Sequence, residues 1–348
     1  MKKTISAAVA LSIFAAPAIA ANLENPLYMP KQGSVYSKTS AGVMYKIADD
    51  SDAHQLKNHD GATEFPIWRV HEELGYGILD NLEAYAKFGY THDGDIDRKG
   101  IHLGRAGLKY RAINTDDGWV WDLYADAQLG GIVEMSGSYA ANGFTYDNYS
   151  TGRWGFHVGT QVGKTWSKFS TAAFVEVLRT FGNDNNSIEI SELKQIRGIP
   201  PIANIPDEIS VDLKSTTELN AGLKAFYQLD DRWSFGGGFT FKHHADNGVE
   251  GLATTLNAPS ITAIPVASGG TVPATMVQQG LVDGLLAEVA DMEDGFDEYI
   301  LNLTAAYQMT DTMQVAVYGE YTFDESHVNS QNGTDVKAEL GVRLNVQF

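Results

Sequence analysis

From Val336 to Phe348 the residues alternate without a break. Val336, Ala338, Leu340, Val342, Leu344, Val346 and Phe348 are apolar, while Lys337, Glu339, Gly341, Arg343, Asn345 and Gln347 between them are polar or lack a side chain. A strict period of two describes a strand with one face in an apolar medium and the other in a wet one. The same alternation runs through most of the chain. It places Ala41, Val43, Tyr45 and Ile47 on one face near the start, then Trp68, Val70, Leu74, Tyr76 and Ile78. Trp119, Trp121, Leu123, Ala125, Ala127 and Leu129 follow in phase, as do Trp233, Phe235, Phe239 and Phe241.

Twelve such strands are expected, and their connections sort into two kinds. Short turns fall at 79–81, 113–118, 164–167, 230–231 and 310–312. The connections between them are longer, above all 183–206 and 245–296. Two of the strands have notable limits. One is expected over Ile209 to Leu229, the longest of the set, and 183–206 is expected to be a loop because Pro200-Pro201 excludes a central strand. Glu72 falls on the apolar face of the second strand, so either a bulge or a shifted register is expected there.

Composition narrows what such a chain can do. Lys2 and Lys3, the apolar run Ile5 to Ala16 and Ala18-Ile19-Ala20 have the form of a secretory signal peptide over 1–20, leaving 21–348 as the mature chain. Loss of the two lysines takes the formal charge from −19 to −21. There is no cysteine, hence no disulfide or thiolate site, and no later apolar run of the ~20 residues a membrane helix needs. The acidic balance argues against nucleic acid and anionic lipid surfaces as partners. After the cleavage site, Asn25-Pro26 and Met29-Pro30 are expected to form an extended lead-in.

Sorted connections, an even strand count and a last strand ending on Phe348 resemble the Gram-negative outer-membrane β-barrels, with Val346 where those usually carry an aromatic. The resemblance implies an all-β fold: one closed antiparallel transmembrane barrel of twelve strands, with short periplasmic turns and long extracellular loops. It also implies an outer-membrane location, contact with lipid and lipopolysaccharide, and insertion by the barrel-assembly machinery, with Phe348 as the assembly signal. Closure requires the last strand to pair with the first.

The inward face is richly charged. Its lumen-lining candidates are Arg69, Lys87, Arg105, Lys109, Asp122, Asp126, Arg153, Glu176, Asp212, Glu218, Glu298 and Glu320. Charges inside a barrel persist only where water or a partner solvates them. A water-filled pore for small hydrophilic solutes is therefore expected, with inward glycines such as Gly75, Gly159 and Gly236 leaving room. A lumen closed by its own salt bridges, in an adhesive barrel with partner-binding loops, is the alternative. Within the longest loop the period becomes helical after Pro273. Leu281, Leu285 and Val289 form one stripe, a candidate constriction helix.

Catalysis is a weaker expectation. Outer-membrane phospholipases and deacylases carry His-x-Ser on a strand, and no His here has Ser at that spacing. The omptin proteases use an Asp pair facing an Asp-His pair. Asp95-Ile96-Asp97 and Asp52-Ala53-His54 have those compositions but sit on neighbouring loops. Asp93, Asp95 and Asp97 alternate like calcium ligands, but Arg98 and Gly104 stand where a calcium loop has its Gly and Glu. No catalytic residue, metal ligand or cofactor is expected.

Overall fold

A computed structural model describes residues 22–47, 66–93, 98–130, 153–189, 208–245, 296–324 and 336–348, together with 136–140, 143–146, 191, 249–253, 263–265, 271–277, 279–280 and 283. Twelve strands close into an antiparallel barrel. They are β1 (Val35–Ile47), β2 (Ile67–Leu79), β3 (Leu82–Asp93), β4 (Arg98–Asn114), β5 (Trp119–Gln128) and β6 (Gly155–Trp166). The other half is β7 (Phe169–Thr180), β8 (Thr216–Gln228), β9 (Trp233–His244), β10 (Phe296–Thr310), β11 (Met313–Asp324) and β12 (Val336–Gln347). Each strand pairs with its sequence neighbour, and β12 returns to pair with β1 from Tyr36↔Gln347 to Ile47↔Val336. Reciprocal backbone bonds between Val35 and Phe348 finish the seam. Closure satisfies every edge, which an open sheet in lipid could not do.

The alternation faces the way its chemistry demands. Leu223, Leu303, Leu340 and Val342 point outward and are among the most exposed large apolar side chains. Tyr36, Met44, Phe174 and Phe226 point inward and are buried. Glu72 does lie on the outer face, in unbroken register with Thr39 on β1 and Phe88 on β3, so there is no bulge. The hydroxyls of Ser37 and Thr39, outward on β1, donate to its carboxylate. Paired donors on the neighbouring strand are what make a lipid-facing acid tolerable.

Local chemistry explains the short turns. Gly118 takes φ +89°, a left-handed conformation open to glycine at no steric cost. At the β8–β9 turn the Asp230 carboxylate accepts from the backbone N–H groups of Arg232 and Trp233, which hold its pKa below the usual carboxylate range. Beside these turns Trp119, Trp166 and Trp233 stand exposed, Trp166 stacked on Phe169 and Trp233 tilted on Tyr307 at 4.9 Å. Trp121 lies one rung deeper, its indole N–H donating to Thr160. Indole favours the headgroup boundary. In vesicles of lipids brominated at graded depths, these four tryptophans should be quenched most by shallow bromines. Strongest quenching from the bilayer centre would contradict the topology.

Three expectations are corrected. The strand expected over Ile209 to Leu229 breaks at Lys214-Ser215: only Thr216 onward joins the barrel, and Glu208–Leu213 enters a second sheet. That sheet has five strands, in the order Val249–Ala253, Glu208–Leu213, Asn183–Glu189, Ser136–Ala140, Gly143–Tyr146. The segment 183–206 is thus not wholly a loop; the strand ends before the proline pair. Third, the lead-in is not simply extended. Asn22 and Asn25 accept from the N–H groups of Glu24 and Leu27, folding 22–28 into successive turns. In the longest loop helical backbone begins at Ala274, directly after Pro273, as the sequence suggests.

Candidate functional site: the barrel lumen

The inward wall pairs its charges in a connected network. Glu73 takes Lys38 and Lys87, each at 3.3 Å, and the Tyr36 hydroxyl at 2.9 Å. The same hydroxyl, with one proton to share, also reaches Glu83, which meets Lys109 at 3.0 Å. Asp126 accepts from Tyr85 and faces His157 Nδ1, both at 2.7 Å, with Arg105 at 4.0 Å. The other face of that imidazole meets Glu176 at 3.4 Å, and Tyr124 donates to Glu176 at 2.6 Å. Across the barrel Glu339 holds Arg69 at 3.0 Å and Tyr318 at 2.8 Å. Nearer the long loops Glu298 meets Lys242 and His244, and His244 reaches Glu218 at 3.5 Å.

The tyrosines explain the inward glycines, and the explanation corrects the expectation that these leave room. Tyr36 lies opposite Gly75, Tyr124 opposite Gly159 and Tyr318 opposite Gly341. A Cβ on those glycines would stand 2.1, 2.3 and 2.4 Å from the three rings. Each ring therefore folds across the missing side chain and carries its hydroxyl to a carboxylate. Of Gly75, Gly159 and Gly236, the last alone is open, with nothing nearer than 3.8 Å. Cross-strand Tyr–Gly pairs were the signal for this, but the pairing is not visible without the register.

The largest surprise is at the short-turn end, where residues 22–28 enter the barrel. Leu27 is 5 % exposed, seated against Val120, Ala172 and the bare backbone of Gly163. Main-chain carbonyls tie the segment to the wall: Pro26 accepts from Gln161, Leu27 from Arg111 and Tyr28 from Lys109. Side chains complete the ring. Glu24 meets Arg343 at 2.9 Å and Asn345 at 2.7 Å, Asn22 bonds Gln228 and Gln314, and Asn25 bonds Ser170. The Tyr28 ring packs edge-on against Tyr36, and burial together with Glu83 pushes its phenol pKa upward. Beneath the segment Asp122, fully buried, takes a two-pronged bond from Arg111 at 2.8 and 3.0 Å.

Above the inserted segment lies a cavity of about 490 Å³, lined by charged, tyrosyl and histidyl side chains. Of the twelve lumen candidates, Arg69, Lys87, Arg105, Lys109, Glu176 and Glu320 line it. Asp122 and Asp126 are inward but buried in ion pairs, while Glu218 and Glu298 sit in the histidine cluster. Arg153 precedes β6 and donates to the Lys214 carbonyl at the long-loop end. Asp212 is a correction: it belongs to Glu208–Leu213, outside the barrel wall. Leu281, Leu285 and Val289 lie outside the described residues, as do Asp52, His54, Asp95 and Asp97. Sequence reasoning missed Tyr36, Tyr85, Tyr124 and Glu24. A larger apolar groove, about 840 Å³ between Leu223, Phe239 and Leu303, opens on the lipid-facing wall.

No protein-family model matches the sequence, and no curated protein is significantly similar to it. Solved structures are more informative. The COG4313 outer membrane channel from Pseudomonas putida F1 superposes with a TM-score of 0.55 over 92 % of this chain and 97 % of that one, at 12 % identity. The fold is that of the outer-membrane β-barrels. At that identity the likeness shows the fold alone. The NanC porin covers 88 % of this chain and 98 % of its own, with 8 % identity and a TM-score of 0.41 that supports nothing finer.

Proposed function

We propose that the protein is a porin-like channel of a Gram-negative outer membrane, admitting small hydrophilic solutes by passive diffusion with a mild preference for cations. The observation that carries the proposal is the polar cavity inside a closed barrel with an apolar outer face. Its surroundings would be outer-membrane lipid and lipopolysaccharide, with the barrel-assembly machinery recognising Phe348. The cation preference follows from charge. The chain is at −19, its inner wall is close to balanced, and the excess acid falls in connections rich in aspartate such as Asp49, Asp50 and Asp52. An acidic mouth concentrates cations, with a field screened beyond ~10 Å at 0.1 M salt.

Planar-bilayer recordings test this. Reversal potentials in a salt gradient should show weak cation selectivity that fades as ionic strength rises. Anion selectivity at low salt would refute the preference. One observation favours a second function, a structural or adhesive barrel with a closed lumen: residues 22–28 span the short-turn end. That alternative calls for no conductance by the full chain.

A further inference from the structure

The charges that line the cavity are nearly all paired, so two exceptions stand out. Lys224 and Glu320 both line it, and among the described residues neither has an ion pair or a side-chain hydrogen bond. The Lys224 ammonium rests 4.3 Å over the Phe174 ring, an attraction that leaves its hydrogen-bond donors free. The two residues occupy one rung of the wall. Lys224 is opposite Gly238, Gly238 opposite Asn302, and Asn302 opposite Glu320. Three strand spacings separate their backbones, roughly 14 Å at ~4.8 Å each. Between them Gly238 presents no side chain, and the Asn302 amide, 3.2 Å from where a Gly238 Cβ would stand, has no partner among the described residues.

A cation, a neutral amide and an anion in line, each unsatisfied, complement a solute with a carboxylate at one end and an ammonium at the other. We propose that this rung is a binding subsite for small zwitterions of the amino-acid type, the carboxylate on Lys224 and the ammonium on Glu320. The proposal rests on the channel function above. A singly charged solute satisfies one end and meets the wrong sign at the other. Glu176 and Glu73 as well as Lys87 and Lys38 stand within electrostatic reach of Lys224, and Arg69 and Lys242 as well as Glu339 and Glu298 within reach of Glu320, so the charges around each end largely offset one another. The charges left to act on a solute are Lys224 and Glu320 themselves: a lone cation is repelled by the first and a lone anion by the second, whereas a zwitterion gains at both. A subsite in a channel must also let go, so the affinity is weak.

Calorimetric titration of the purified full chain in detergent tests the subsite, with 4-aminobutyrate and 6-aminohexanoate as probes and hexanoate and hexylamine as singly charged controls. One aminoacid probe should bind saturably, with each control about tenfold weaker. Lys224→Met and Glu320→Gln should each weaken that probe by about tenfold, the loss of one charge-assisted contact. Hexanoate binding as tightly as 6-aminohexanoate, or variants that leave the affinity unchanged, would overturn the proposal, as would no binding of either aminoacid. Solute uptake by proteoliposomes separates this failure from failure of the channel. Passage of uncharged sugars without zwitterion binding removes the subsite alone. Zwitterion binding without passage of any solute upholds the subsite and removes the channel.

Discussion

Deletion of residues 22–28 should raise the single-channel conductance severalfold while the barrel still folds. Eight-stranded barrels are filled by their own side chains and sixteen-stranded ones hold an aqueous channel; twelve strands lie between. Here the balance is tipped by the inserted segment, which reaches β4, β6, β7, β8, β11 and β12 at the short-turn end. Three of its ties are hydrogen bonds to its main-chain carbonyls and the rest run through the side chains of Asn22, Glu24 and Asn25, each neutral bond worth about 1 kcal/mol net. The barrel does not depend on them, because its twelve strand pairings close without the segment. Heat-modifiable migration on gels reports folding, and bilayer recordings report conductance. Unchanged conductance in a folded deletion variant would show that the constriction lies elsewhere.

The second large effect concerns Arg111 and Asp122. Asp122 has no exposed surface, and its two oxygens are taken by the Arg111 guanidinium and by Gln161. Arg111→Ala leaves a buried carboxylate with one neutral donor, which should cost about 3–5 kcal/mol. The double change Arg111→Met, Asp122→Leu should recover most of that loss, because removing both charges removes the desolvation penalty too. Reversible urea unfolding into lipid vesicles measures both. The single variant should also show higher conductance, since Arg111 holds the Leu27 carbonyl. An unaltered midpoint in Arg111→Ala would mean that the pair is solvated.

Much of the fold was legible because lipid imposes a strict rule. A strand that faces hydrocarbon must alternate, so β2, β5, β9 and β12 were visible residue by residue, and even the awkward Glu72 kept its register. The break in the strand expected over Ile209 to Leu229 was invisible for the same reason. Ile209, Val211 and Leu213 carry the alternation on, although Glu208–Leu213 pairs with loop strands and not with the barrel. The inserted segment was hidden differently. Its contacts join Asn22 and Glu24 to residues hundreds of positions away, and several run through carbonyls that carry no side-chain signature. The lumen showed its charges but not its pairings. Which acid meets which base depends on register, and the Tyr–Gly pairs that set the cavity's shape exist only across strands.

The most direct test of a solute channel is the swelling of proteoliposomes carrying the full chain in a graded series of neutral sugars. A porin-like lumen predicts swelling that is fastest for a pentose and falls steeply towards a trisaccharide, with every rate raised in the variant lacking residues 22–28. No swelling in any sugar, with the segment or without it, would contradict the account and leave a barrel that conducts nothing.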